Sequence, residues 1–240
     1  MKKLACLFVL MGAVSVANAA PVYLTAAAEP WNTNANIDNF NAAFGAGGWD
    51  RAVFGDAGLF DDTSDFLYID GGDGNTQDFE NWMNANRTDL EGFVSAGGSV
   101  FVNAARWGGT DNFNLGFGAT MDYSGNHAET CTLTTDHFAA AGTVFTGNGC
   151  AHDIVISGAD FDTLAVSTHG DILVEKDFGL GHIMLGGMTT TNWHGANGFD
   201  IRVNMLQYGA GLAGEVPEPA IVALFGLGLA GLGFSRRKAK

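Results

Sequence analysis

Basic side chains are scarce in this 240-residue chain. It carries 11 Lys and Arg against 26 Asp and Glu, a formal charge of −15. Six of the basic residues, Lys2, Lys3, Arg236, Arg237, Lys238 and Lys240, crowd the two ends. Between residues 20 and 216 only Arg51, Arg87, Arg106, Lys176 and Arg202 remain, against 25 acidic residues, a formal −20. A field of that sign repels phosphate backbones and anionic lipid, which excludes nucleic acid as a partner. It is compatible with divalent cations, or with acidity that serves solubility alone.

Cysteine is equally sparse. Of three, Cys6 lies in an N-terminal apolar run, leaving Cys131 and Cys150. In an oxidising compartment these two are expected to form a disulfide. Closing a loop of that length constrains the unfolded chain by about 3 kcal/mol in the entropy model. A catalytic thiol is the competing reading, but neither Cys stands in a nucleophile turn. Other chemical signatures are missing as well. There is no G-x-S-x-G elbow, and His127, His137, His152, His169, His182 and His194 show no close zinc-type spacing. A Ser-His-Asp set drawn from distant positions stays open, because triad members need not be sequence neighbours. No internal repeat is visible.

The ends carry addresses. Lys2 and Lys3 precede an apolar run from Leu4 to Val16, and Ala17-Asn18-Ala19 supplies the small-x-small pattern cut by signal peptidase. At the other end, Pro217-Glu218-Pro219 leads into an apolar, Gly-rich stretch, Ala220 to Phe234, followed by Arg236, Arg237 and Lys238. As a helix that stretch spans about 22 Å at 1.5 Å per residue, short for a ~30 Å hydrocarbon core. The basic cluster would stay cytoplasmic, and so marginal a span suits transient retention before removal. This three-part tail resembles the PEP-CTERM sorting signal. The resemblance implies processing by an exosortase, a membrane cysteine protease, and delivery to the cell surface or the extracellular space of an exopolysaccharide-producing bacterium. An ordinary C-terminal membrane anchor is the alternative. The chain therefore divides into a signal peptide (1–19), one domain (20–208), a linker (209–216) and the sorting tail (217–240).

Within the domain, Val22 to Thr25, Ala52 to Phe54, Phe66 to Ile69 and Val100 to Val102 read as short buried strands. Ile37, Phe40 and Phe44 share one helical face. Thr88 to Glu91 fits a capping box, so a helix is expected to start there and stop at Gly97. Strand, glycine loop, helix, glycine pair and strand in succession are the pattern of a parallel α/β unit. The middle, from Asn112 to Gly149, suggests a hairpin held by the disulfide. Further strands follow at 154–156, 164–167, 172–175 and 182–185. A hairpin turns at His169-Gly170-Asp171, and a last helix runs from Phe199 to Tyr208.

Two runs, Phe66 to Gly72 with Phe93 to Val102, and Gly179 to Gly186 with the terminal helix bearing Arg202, resemble class I glutamine-amidotransferase-like domains. The resemblance implies a three-layer α/β fold, flavodoxin-like, with a mostly parallel sheet and extra β-hairpins. The family's nucleophilic Cys, expected just after the strand at Val100 to Val102, is replaced by Asn103-Ala104-Ala105-Arg106-Trp107. Its His-x-Glu is also missing: Trp193-His194-Gly195-Ala196 lies near that place without the Glu.

Three groups remain as candidate sites. Asp70, Asp73, Asn75 and Asp78 could supply hard oxygen ligands to calcium, although their spacing is not that of an EF-hand and turn residues explain them equally. Arg106 and Trp107 should lie at the ligand-binding edge of the sheet, where Trp stacks on sugar faces and Arg bonds hydroxyls; a packed Trp beside a salt-bridged Arg is the competing reading. His194 is the best functional imidazole, and as the base of a hydrolase it would need an acidic partner within hydrogen-bond reach. The sequence thus predicts a noncatalytic exported protein acting in an exopolysaccharide matrix. The alternatives are a secreted hydrolase and a calcium-dependent matrix protein.

Overall fold

The computed structural model describes residues 20–63, 66–123 and 128–211. The expected signal peptide and sorting tail, with His127 and residues 212–216 of the expected linker, lie outside the described residues. Among the described residues no helix is long and apolar enough to cross a membrane.

The chain begins with β1 (Val22–Thr25), α1 (Ala35–Phe44), β2 (Asp50–Val53), β3 (Phe66–Asp70), α2 (Thr76–Ser95) and β4 (Ser99–Asn103). A run of strands follows: β5 (Phe113–Gly116), β6 (Ala119–Asp122), β7 (Ala128–Leu133), β8 (Val144–Ala151) and β9 (Ile154–Ile156). It closes with β10 (Asp162–Ser167), β11 (Asp171–Phe178), β12 (Gly181–Gly186) and α3 (Gly198–Gly211). Nine strands form one sheet in the order β2-β1-β3-β4-β12-β11-β10-β7-β8, and β5-β6-β9 form a smaller one. The first five pair in parallel. From β12 onward every pairing is antiparallel.

The parallel strands are buried on both faces, and their period-two alternation sorts side chains by type. Tyr23, Phe66, Tyr68, Phe101 and Met184 face α1 and α3, packing with Phe40, Ile201, Met205 and Leu206. Leu24, Leu67, Ile69, Val100, Val102, Ile183 and Leu185 face α2 and the small sheet, against Phe79, Trp82, Met83, Phe93 and Met121. Each fully buried side chain of this kind contributes roughly 1.5–3 kcal/mol. Placement of the helices follows from handedness. The step from β1 to β2 and the step from β3 to β4 run in opposite directions along the sheet. Right-handed crossovers then put α1 and α2 on opposite faces, giving three layers.

Several expectations hold, and two need correction. The disulfide Cys131–Cys150 is present and staples β7 to β8. The β10–β11 hairpin closes where Ser167 N–H donates to Gly170 O at 2.8 Å. The helix expected to begin at Thr88, however, begins at Thr76 and runs 20 residues. Phe79, Trp82 and Met83 continue its apolar face backward, and burying them outweighs the polar stretch Asn84 to Arg87 that hides the continuity in the sequence. At the other end α3 runs to Gly211, so the first three residues of the expected linker are helical. Gly209 is buried, and its carbonyl accepts a bond from Ser99 Oγ at 2.7 Å.

Candidate binding site at the strand ends

The carboxyl ends of β1, β3, β4 and β12 open on one edge of the sheet, and each sends a short segment to it. After β1 comes the single 3₁₀ turn Pro30–Asn32, which presents Trp31. After β3 come Gly72 and Asp73, and after β4 come Arg106 and Trp107. After β12 the turn Thr191–Trp193 presents Trp193. Between β1 and β3 the chain steps away in opposite directions, and such a switch point is where open α/β sheets leave a crevice for ligands.

Aromatic rings gather there. Trp31 lies edge-on to His152 (centroids 4.9 Å apart), Trp193 (5.8 Å) and Trp107 (6.3 Å). Trp107 in turn packs 5.2 Å from His152 and 6.4 Å from Tyr123. Trp107 keeps 54% of its surface exposed, which makes it the open face of the group. The indole N–H groups of Trp31 and Trp193 are buried without an acceptor among the described residues.

Holding Trp31 in place requires unusual backbone. Trp31 (φ 58°), Asn32 (φ 50°) and Asp73 (φ 48°) all adopt left-handed conformations, at a cost of about 1–2 kcal/mol for Trp31, whereas Asn and Asp visit that region more readily. Such strain concentrates at functional sites. The close approach also needs a glycine: a Cβ on Gly72 would sit 3.1 Å from Trp31 Nε1.

Beside Trp107 is an open cavity of about 320 Å³ lined by Asp73, Gly74, Thr76, Gln77, Glu80, Gly108 and Thr110. Its wall is fixed by Arg106, which is fully buried. Arg106 Nη1 donates to Glu80 Oε1 at 2.7 Å, and Nε and Nη2 donate to Asp153 Oδ1 at 3.0 and 2.7 Å. The backbone N–H of Arg106 donates to Asp153 Oδ2 at 2.6 Å. Glu80 accepts further bonds from the N–H and hydroxyl of Thr110 at 2.8 and 2.7 Å. Burial pushes the Asp153 carboxyl up to about 7, against the pull of Arg106. The expectation that Arg106 bonds a ligand therefore gives way: its donors are turned inward, and it positions Glu80 and the cavity loop.

The calcium candidates are not brought together. Asp70 is buried, accepting from Gly72 N–H at 2.8 Å, Tyr68 OH at 2.9 Å and Asn36 Nδ2 at 3.0 Å. Burial raises its pKa, opposed by the Gly72 N–H and Arg202. The Asn75 amide bonds Thr25 Oγ1 and the Ala28 carbonyl at 3.1 and 2.9 Å. Asp73 borders the cavity, and Asp78 is exposed on the first turn of α2. Among the described residues no group of three or more His, Cys, Asp or Glu is arranged to hold a metal ion.

His194 also departs from its expected role. Its Nε2 lies 3.1 Å from both Thr189 Oγ1 and the Cys150 carbonyl. Thr189 Oγ1 donates its own proton to Gly149 O at 2.7 Å, so the network assigns the proton of His194 to Nε2. Burial first, and the nearby Arg202 second, push its pKa down to about 3. A neutral imidazole that donates to a carbonyl serves packing, and the acidic partner a general base needs is absent from its hydrogen bonds. Sequence reasoning reached Trp107 but did not group it with Trp31, His152, Tyr123 and Trp193. The available signal was that three of the five tryptophans, Trp31, Trp107 and Trp193, each follow a strand closely.

Known proteins resemble the two parts of the chain separately. In the domain, the structural likeness shows the fold alone. A carbohydrate deacetylase, Agd3, superposes with a TM-score of 0.53 at 9% identity, covering 80% of this chain and 32% of that one. A β-galactosidase from Bacillus circulans sp. alkalophilus gives a TM-score of 0.46 at 12% identity, covering 82% and 30%. A cytoplasmic protein from Salmonella typhimurium gives 0.48 at 11% identity, covering 79% and 98%. This chain thus spans about a third of the length of the first structures it matches. No curated protein matches the chain. At the C-terminus, residues 215–238 match the PEP-CTERM protein-sorting motif, which supports an exported, exosortase-processed protein of the cell envelope.

Proposed function

We propose that this is a noncatalytic surface protein that binds a carbohydrate chain through the aromatic group at its strand ends, within an exopolysaccharide matrix. The observation that carries the reading is Trp107, more than half exposed yet braced by Trp31, His152 and Tyr123 beside a polar cavity. Exposed aromatic rings on a rigid support offer a flat apolar face to sugar C–H groups at little entropic cost. The neighbouring polar groups fix orientation, as in small-ligand sites generally.

The order 2-1-3-4-5 of the five parallel strands is the flavodoxin-like order. It supports reading the domain as an amidotransferase-like scaffold. The turn after β4 holds Ala104, Ala105 and Arg106 where that family carries its Cys, so the scaffold would bind without acyl transfer. Export would begin with removal of residues 1–19 by signal peptidase and end with exosortase acting near Pro217-Glu218-Pro219, releasing a domain that ends with α3.

The test is calorimetric titration of the purified exported protein with oligosaccharides from exopolysaccharide. Binding is expected, and Trp107→Ala is expected to weaken it at least about fivefold, since one aromatic stacking platform contributes roughly 1–3 kcal/mol to ring stacking. Unchanged binding by that variant, or measurable turnover of amide, ester or glycoside substrates, would overturn the reading.

A further inference from the structure

Resting on that carbohydrate-binding reading, we infer that the preferred glycan carries free amino groups. The first argument is the location of the cations. Arg106 and Arg202 are fully buried. Arg51 is held by Glu29 at 2.8 Å, Lys176 by Asp160 at 2.9 Å, and Arg87 by the Asn114 carbonyl. None of the five lines the cavity beside Trp107. A polyanionic sugar, such as a uronate, would approach a domain of formal charge −20 with no cation to receive it.

The second argument is the donor and acceptor balance of the cavity wall. Thr76 Oγ1 already donates to the Asp73 carbonyl at 2.6 Å and accepts from Trp107 N–H at 3.1 Å. The Thr110 hydroxyl donates to Glu80, and the Gln77 NH₂ donates to Asn81 Oδ1 at 3.1 Å. The two hydroxyls of the wall have committed their protons, and Gln77 one of its two amide N–H groups, while side-chain acceptors remain. The Asp73 carboxylate makes no hydrogen bond or ion pair with the described residues, and the Gln77 amide oxygen makes none either. Behind them Glu80 shares the buried Arg106 with Asp153, so that cation is not available to a ligand.

An ammonium group satisfies all of this at once. It supplies three donors and no acceptor. It pairs with Asp73, and it is attracted to the face of an indole. Asp73 and Trp107 border the same cavity, so one amino sugar can use both.

The test compares oligomers of glucosamine and galactosamine, at a pH where their amines are protonated, with the N-acetylated oligomers and with a uronate oligomer. The wild-type protein should bind the amine forms roughly fivefold to tenfold more tightly than the acetylated forms, from an exposed ion pair plus a cation–π contact. It should not bind the uronate. Asp73→Asn should cut that preference about twofold or more, leaving only what the cation–π contact with Trp107 supplies. Asn tolerates the left-handed backbone at this position, so the fold is preserved. The preference should also shrink with added salt. Equal binding of both forms, or an Asp73→Asn variant that keeps the preference undiminished, would end this inference while leaving carbohydrate binding intact. Absence of binding to every oligomer, with no effect of Trp107→Ala, would remove both.

Discussion

In one half of the large sheet, β2, β1, β3, β4 and β12 run parallel, with α1 and α3 on one face and α2 on the other. In the other half, β11, β10, β7 and β8 follow by antiparallel pairings, and a disulfide ties the last two strands. Parallel strands need long returns, so their carboxyl ends gather loops that can carry function. Antiparallel strands return through short turns and leave no such edge. The aromatic group and the cavity accordingly sit on the parallel half, where buried charge organises them. The antiparallel half relies on a covalent link for the same steadiness.

The sharpest way to break this contrast is Arg106→Met. It would leave Asp153 and Glu80 buried without their cation, an arrangement that costs about 3–5 kcal/mol. A matching drop in urea midpoint is expected, and Asp153→Asn in the same chain should recover part of it. Replacing Cys131 and Cys150 by Ser comes next, at about 3 kcal/mol. Hydrogen exchange should quicken in β7 and β8 and hardly change in β1, β3 and β4. Equal quickening throughout would show that the two halves unfold as one unit.

Smaller effects come from two histidines with opposite pH behaviour. His194 is held neutral, with its pKa depressed from 6.5 to about 3. As pH falls below 6.5 the unfolded chain takes up the proton first, so stability is lost, by about 1.4 kcal/mol one pH unit down. His194→Gln should flatten that acid limb. His182, at the start of β12, lies between Glu175 at 2.9 Å and Asp177 at 3.0 Å. Burial opposes its charge, but these two carboxylates outweigh burial and raise its pKa. Its stabilisation is fully present below 6.5 and is lost as pH rises through the folded value, and thermal melts across that range check the sign. Trp107→Ala should change stability least, by about 1 kcal/mol, because more than half of the side chain is exposed. A large loss there would make Trp107 a packing residue.

Much of the fold was legible residue by residue. Phe66 to Ile69 and Val100 to Val102 announced themselves as short apolar runs bounded by glycine or polar residues, Val22 to Thr25 as a β-rich run after Pro21, and all three are interior strands of the large sheet. The start of α2 was not legible, because Asn75 and Thr76 follow a glycine-rich turn and a polar stretch interrupts the apolar face. Only packing of Phe79, Trp82 and Met83 against the sheet reveals one helix. The site was half legible. Trp107 was placed at a strand end by counting, whereas Arg106 beside it turned inward because two carboxylates from α2 and the segment before β9 wait below.

Local chemistry along the chain determined the sorting tail, the acidic charge, the pairing of Cys131 with Cys150 and the existence of most strands, because each depends on neighbouring residues or on a count. Strand order decided the rest. Trp31, Trp107 and Trp193 are each separated by more than 75 positions, and they meet only because parallel strands bring their carboxyl ends to one edge.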